Sequence, residues 1–145
     1  MTEPNRFAPP KAEISEMTAE SARSDIESLP VSVSWKRKFR LIEKAGGPRQ
    51  PNLKALSSGE RLKIGFNILA FLLGPLYYLA KGMWKKAIAL FGACALAILV
   101  IGLALNFVGL GKLGNALGYG AAAIFAVRAN IDYYKRMVLG DKGWW

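Results

Sequence analysis

The stretch Lys85–Val108, KKAIALFGACALAILVIGLALNFV, decides the fold. From Ala87 to Val108 it runs for 22 residues without a charged side chain, directly behind Lys85 and Lys86. At 1.5 Å per residue a helix of that length reaches about 33 Å, enough to cross a hydrocarbon core of about 30 Å. The stretch therefore predicts a transmembrane helix, and the fold class that follows is an all-α membrane protein.

Toward the C-terminus, Gly109-Leu110-Gly111-Lys112 reads as a short turn and Leu113–Val127 as a second apolar helix. Ala89, Ala93 and Ala97 in the first helix, and Gly114, Gly118 and Ala122 in the second, recur at spacing four. Small-residue strips let helices approach closely in lipid, so the two segments are expected to form an antiparallel transmembrane hairpin. The second helix should run on through Arg128–Arg136 into the headgroups. Asp132 stands four residues from both Arg128 and Arg136, the spacing of helix ion pairs. Asn67 and Asn130 read as interhelical hydrogen-bonding groups, and Trp144-Trp145 as interface anchors.

Toward the N-terminus, Ser57-Ser58-Gly59-Glu60 fits a capping box that starts a helix. Apolar residues continue from Ile64 to Ala80, and Gly74-Pro75 should kink or break the run. Tyr77, Tyr78 and Trp84 fall where an aromatic interface belt is expected, with Lys81, Lys85 and Lys86 beside them. The positive-inside rule then weighs two topologies. If residues 64–80 form a short transmembrane helix, the Lys81/Lys85/Lys86 turn and the Arg128/Lys135/Arg136 end both face outward. If the segment re-enters at Gly74-Pro75, every basic cluster and both termini are cytoplasmic, and only the Lys112 turn is outside. The re-entrant solution fits better, provided that other helices cover its irregular backbone.

Residues 57–145 thus read as a helical membrane domain. Ahead of it, residues 34–56 read as a basic amphipathic helix and linker. Ser34 can cap a helix from Trp35 to Ala45, in which Trp35, Phe39 and Ile42 share one face while Lys36, Arg37, Lys38 and Arg40 crowd the remainder. Gly46-Gly47-Pro48 stops it. Such a helix is expected to lie in the membrane interface, against anionic headgroups. Residues 1–33 read as a disordered acidic tail without an apolar signal-peptide core, available to a protein partner. Within it, Asn5–Lys11 resembles the proline-rich leader of many small bacterial membrane proteins.

The net charge of +10 is unevenly placed: residues 1–30 hold six acids and three bases, the remainder four acids and seventeen bases. The bases flank apolar segments rather than any zinc-finger, RNP or helix-turn-helix pattern, which points to lipid headgroups and away from nucleic acid. There is no histidine, and the single cysteine, Cys94, reads as a packing residue. No nucleophile–base pair, phosphate loop or metal spacing stands out, so neither an enzyme nor a cofactor is expected.

The run Phe71–Lys86, the apolar helix behind it, and Ala129-Asn130 with Tyr133-Tyr134 resemble a bacterial membrane family known as domain of unknown function 2628. Asn67, Ala70, Phe71, Gly74, Pro75, Tyr78, Met83, Trp84, Asn130 and Tyr133 carry the resemblance over residues 60–136, with the acidic N-terminal region outside it. It implies a multi-pass protein of the bacterial inner membrane and transfers no activity. The expected role is binding or scaffolding at the cytoplasmic face. Two other expectations are an immunity or accessory protein of a toxin or secretion system, and an oligomeric channel or transporter subunit built around the Gly74-Pro75 break. A homo-oligomer is compatible with each.

Overall fold

The computed structural model describes residues 25–145, and every regular element among them is helical. In order these are α1 (Val33–Lys44), a 3-10 turn (Leu53–Ala55), α2 (Ser58–Gly65), α3 (Ile68–Leu73), α4 (Pro75–Ala80), α5 (Trp84–Phe107), a second 3-10 turn (Gly111–Leu113) and α6 (Gly114–Met137). The leader-like Asn5–Lys11 and most of the acidic tail lie outside the described residues. Residues 25–33 do not belong with that tail. Residues 25–28 form a helical turn, Ile26 is fully buried, and Leu29 and Val31 pack on the core.

The local signals act as written. Ser57 Oγ accepts from the Glu60 N–H while Glu60 Oε2 accepts from the Ser57 N–H, which closes the capping box of α2. Gly46 and Gly47 stop α1 at positive φ, where the Gly47 N–H reaches back to the Ile42 carbonyl. Ser32, rather than Ser34, stands at the start of α1. Gly74 separates α3 from α4 at φ 51° and ψ −123°, and Pro75 occupies the first position of α4, where its missing N–H is not needed. A second break lies at Phe66-Asn67, both extended. There the Asn67 Oδ1 accepts from the Ala70 N–H and caps α3.

The chain reverses at Gly74. The side chain of Asn67, at the start of α3, donates to the Tyr77 hydroxyl on α4 at 2.9 Å, so the two short helices form a wedge with Gly74 at its tip. α3 packs against α6 and α4 against α5. α5 and α6, each 24 residues, run antiparallel: Lys86 near the start of α5 meets Asp132 near the end of α6, and the far ends join through the Gly111–Leu113 turn.

The packed core gathers at one end of this pair. It joins Phe39 and Ile42 of α1, Ile64 of α2, Tyr78 of α4, Leu90 of α5, and Phe125, Tyr133 and Tyr134 of α6. Beyond it the two helices project as an arm in which no residue from 95 to 124 is fully buried. Among the described residues α5 is the one helix long and apolar enough to cross a membrane. α6 matches its length but carries Arg128, Asp132, Lys135 and Arg136 in its second half.

The expected seam between the strips at spacing four does not form. Ala93, Ala97 and Gly118 are exposed, Ala89, Gly114 and Ala122 are half-buried, and a Cβ on Gly114 or Gly118 would meet nothing. The inward line on α5 is instead Ala87, Leu90, Cys94, Ile98, Gly102 and Leu105, and on α6 it includes Leu117, Ala121 and Phe125. A spacing of four drifts around a helix by about 40° per step, whereas alternating three and four keeps the seam facing its partner.

Candidate functional site

Where the wedge meets the paired helices, polar side chains are buried together. Asn130 is fully buried. Its Nδ2 donates to the carbonyls of Lys63 (3.2 Å), Ile64 (3.0 Å) and Phe66 (3.3 Å), the unpaired end of α2, and its Oδ1 accepts from Asn67 Nδ2 at 2.9 Å. The Asn67 backbone N–H donates to the Ala126 carbonyl. The two asparagines thus stitch the α2–α3 break onto α6, and they supply the cover that an irregular backbone requires.

Beside them lies a buried charge cluster. Lys86 Nζ stands 3.6 Å from Asp132 Oδ1 and 2.9 Å from Asp141 Oδ2, and the Lys86 side chain is 3% exposed. Asp132 Oδ2 accepts from the Tyr78 hydroxyl at 3.1 Å and pairs with Arg128 at 3.4 Å. Of the two ion pairs expected along the helix, Arg128 makes one. Arg136 points elsewhere, its guanidinium 3.0 Å from where a Cβ on Gly82 would stand. Lys86 draws the Asp141 carboxyl below its usual range, helped by the Gly143 N–H. A lysine held by two carboxylates from different segments clamps the start of α5 to α6 and to the C-terminal segment.

Several residues read as membrane-facing are occupied here. Tyr78 is fully buried and Tyr77 nearly so, both hydrogen-bonded, so neither belongs to an exposed belt; Trp84 is half-exposed. Lys86 is a core cation rather than an interfacial one. Phe39 and Ile42 are fully buried, and Trp35 packs edge-on to Tyr133 with ring centres 4.6 Å apart. The apolar face of α1 thus covers the end of α6 and is not free to enter lipid. Three of its bases also pair with carboxylates: Arg40 and Lys36 lie 2.7 Å and 4.0 Å from Glu27, and Lys44 lies 3.8 Å from Glu60. Arg37 remains exposed.

Two lysines stand over this aromatic cluster. Lys38 Nζ lies 4.6 Å from the Trp35 ring centre and 3.4 Å from Asn130 Oδ1, and Lys81 Nζ lies 4.6 Å from the Tyr133 ring and 5.0 Å from Trp35. Burial holds both ammoniums below the usual lysine range, and at Lys38 the charge of Lys81 adds to the effect. Lys85 lies near Trp84 and Trp144, and Arg128 near Trp145. Among the described residues no group of three or more His, Cys, Asp or Glu side chains could hold a metal ion. What the arrangement offers chemically is a basic, aromatic face over a buried polar clamp. Sequence reasoning missed Lys38, Lys81 and Asp141 as partners, because each meets residues distant in the chain.

A family model described as a protein of unknown function, DUF2628, matches residues 15–138. The match starts well ahead of the expected boundary near residue 60 and takes in α1, whose packing onto α6 makes it part of the same body. A protein of Escherichia coli K12, "Uncharacterized protein YigF", is 32% identical over 122 residues, which cover 79% of this chain and 90% of the relative. The protein of the same name from Salmonella typhimurium is 30% identical over the same shares. No solved structure matches.

Proposed function

For a chain that belongs to the DUF2628 family of proteins of unknown function, we propose a non-catalytic role as a membrane-embedded binding or scaffolding protein. One observation carries this reading: the exposed large apolar side chains concentrate on the wedge, on α5 and on the apolar half of α6. They include Leu72, Leu76, Phe91, Leu96, Leu103 and Phe107, the last 96% exposed. Contiguous apolar surface on this scale marks an interaction site, and a bilayer would cover it along its full length. The polar cluster and most of the bases sit at the opposite end. In the proposed arrangement α5 and the first half of α6 span the bilayer, the α3–α4 wedge re-enters from the basic side, and α1 rests at the headgroups on its own protein bed. By the positive-inside rule the basic end is cytoplasmic, which in a bacterium makes the membrane of this arrangement the inner one. The groove at the Gly74 tip, about 610 Å³, is lined by apolar residues such as Phe71, Phe91, Ile98 and Phe125. No charged side chain stands in that lining, which favours binding over ion transport.

Single cysteines in a Cys94→Ala background test the topology. Cysteines at exposed positions 49, 84 and 142 should resist an impermeant thiol reagent in intact cells and react after lysis, while one at 112 should react in both. Labelling of 142 and 112 together in intact cells refutes the hairpin.

A further inference from the structure

A pocket of about 330 Å³ lies between the α4–α5 turn and the C-terminal segment, with Gly82, Lys85, Lys86, Arg136, Asp141 and Lys142 in its wall. Four of these side chains are cationic and one is anionic. Lys86 and Asp141 satisfy each other, and Lys86 also faces Asp132. Lys85, Arg136 and Lys142 have no carboxylate within ion-pair distance among the described residues. The Arg136 guanidinium lies against Gly82, which stands at φ 71°, so the absent side chain leaves it room. At the rim Trp84 meets Trp144 edge-on with ring centres 5.8 Å apart, and the Lys85 ammonium lies about equally far from both rings.

We propose that this pocket binds a phosphate group, with Arg136, Lys85 and Lys142 as its ligands. The guanidinium presents parallel donors that match a phosphate edge, and the two ammoniums add point charges. The pocket opens where α5 begins, beside two tryptophans. If the membrane reading above holds, on which the lipid form of this proposal rests, that is headgroup depth. An anionic phospholipid headgroup and free phosphate share the chemistry, and experiment separates them.

The full chain in detergent micelles is offered phosphatidylglycerol, with binding counted by native mass spectrometry. Radiolabelled inorganic phosphate is offered separately in equilibrium dialysis. The triple variant Lys85→Gln, Arg136→Gln, Lys142→Gln should bind at least about tenfold more weakly, as expected when charge-assisted hydrogen bonds are lost. The control Arg49→Gln, Lys54→Gln, Lys63→Gln removes equal charge from other exposed sites and should change binding by less than about twofold. Loss in the lipid arm alone identifies a headgroup; loss in the dialysis arm identifies free phosphate. Equal weakening of both triples, or no binding of either probe to the unaltered chain, overturns the proposal. If circular dichroism shows the triple unfolded, the single exposed change Lys142→Gln must still weaken binding by about threefold, and unchanged binding refutes the site. Release of the protein from membranes by alkaline carbonate, with phosphate binding intact, would sink the membrane reading alone.

Discussion

Replacing Asn130 by Ala tests the polar stitch directly. The side chain is fully buried, donates to three carbonyls at the end of α2 and accepts from Asn67 and Lys38. Its removal leaves the buried Ile64 carbonyl without a donor, at about 1–3 kcal/mol, and takes one of two acceptors from the Asn67 Nδ2, which keeps the Tyr77 hydroxyl, at about 1 kcal/mol. Together these predict a loss of about 3 kcal/mol, or roughly 10 °C in Tm for a chain of this size. Asn106 supplies the control: its Nδ2 donates to the Gly102 carbonyl at 2.9 Å, but it is exposed one residue from the end of α5, at headgroup depth in the proposed arrangement, so water replaces the bond and the loss should stay near 0.5 kcal/mol or below, about the usual limit for surface sites. Asn130→Asp should be at least as damaging as Asn130→Ala, because it turns an acceptor toward three carbonyls. Thermal unfolding of the three variants in one detergent measures the differences. If Asn130→Ala melts within about 2 °C of Asn106→Ala, a shift that corresponds to well under 1 kcal/mol, the asparagine is not holding α2 and α3 to α6.

Three further outcomes follow from the same geometry. Phe39→Ala should destabilise by about 3–5 kcal/mol and the exposed Val33→Ala by less than about 0.5 kcal/mol in chemical denaturation, since Phe39 packs against Trp35, Tyr133 and Tyr134; near-equal effects would return α1 to the lipid interface. Gly74→Ala should cost about 1–3 kcal/mol through backbone strain alone, as its Cβ meets nothing, while Gly92→Ala in a regular helix should be neutral or stabilising by up to about 1 kcal/mol. Asp141 is held below the usual carboxylate range, so the stability it lends the C-terminal clamp is present above pH 3.8 and is lost as pH falls through the lower folded value. Tryptophan fluorescence from Trp84 and Trp144 should record that release, and Asp141→Asn should abolish the step; an unchanged step in the variant assigns it to another group.

The readings that the sequence supports by itself are those completed within a few residues. The capping box needs only Ser57 and Glu60, the stop of α1 only Gly46 and Gly47, and the break at 74 only a glycine at positive φ followed by proline. The length and apolarity of Ala87–Val108 are likewise local quantities. The Asn67 break belongs to this class, since an asparagine ahead of Ile68-Leu69-Ala70 is a ready N-cap, but the continuous apolar run around it hides the signal. Family membership is also written in the sequence, and over a longer span than the motifs alone suggest.

Tertiary structure alone decided which surface each pattern meets. Periodicity tells that Trp35, Phe39 and Ile42 share a face; it is identical whether lipid or the end of α6 covers that face. Lys86 beside an apolar run looks interfacial until Asp132 and Asp141, distant in the chain, arrive next to it. The small residues at spacing four look like a seam, but the contact line between paired helices follows their mutual twist, and that is set by how both helices pack together. Local free energies act within a turn of chain and can be read in order. The burial of a charge or an aromatic face depends on what the rest of the chain brings to it, and that information exists only once the chain has folded.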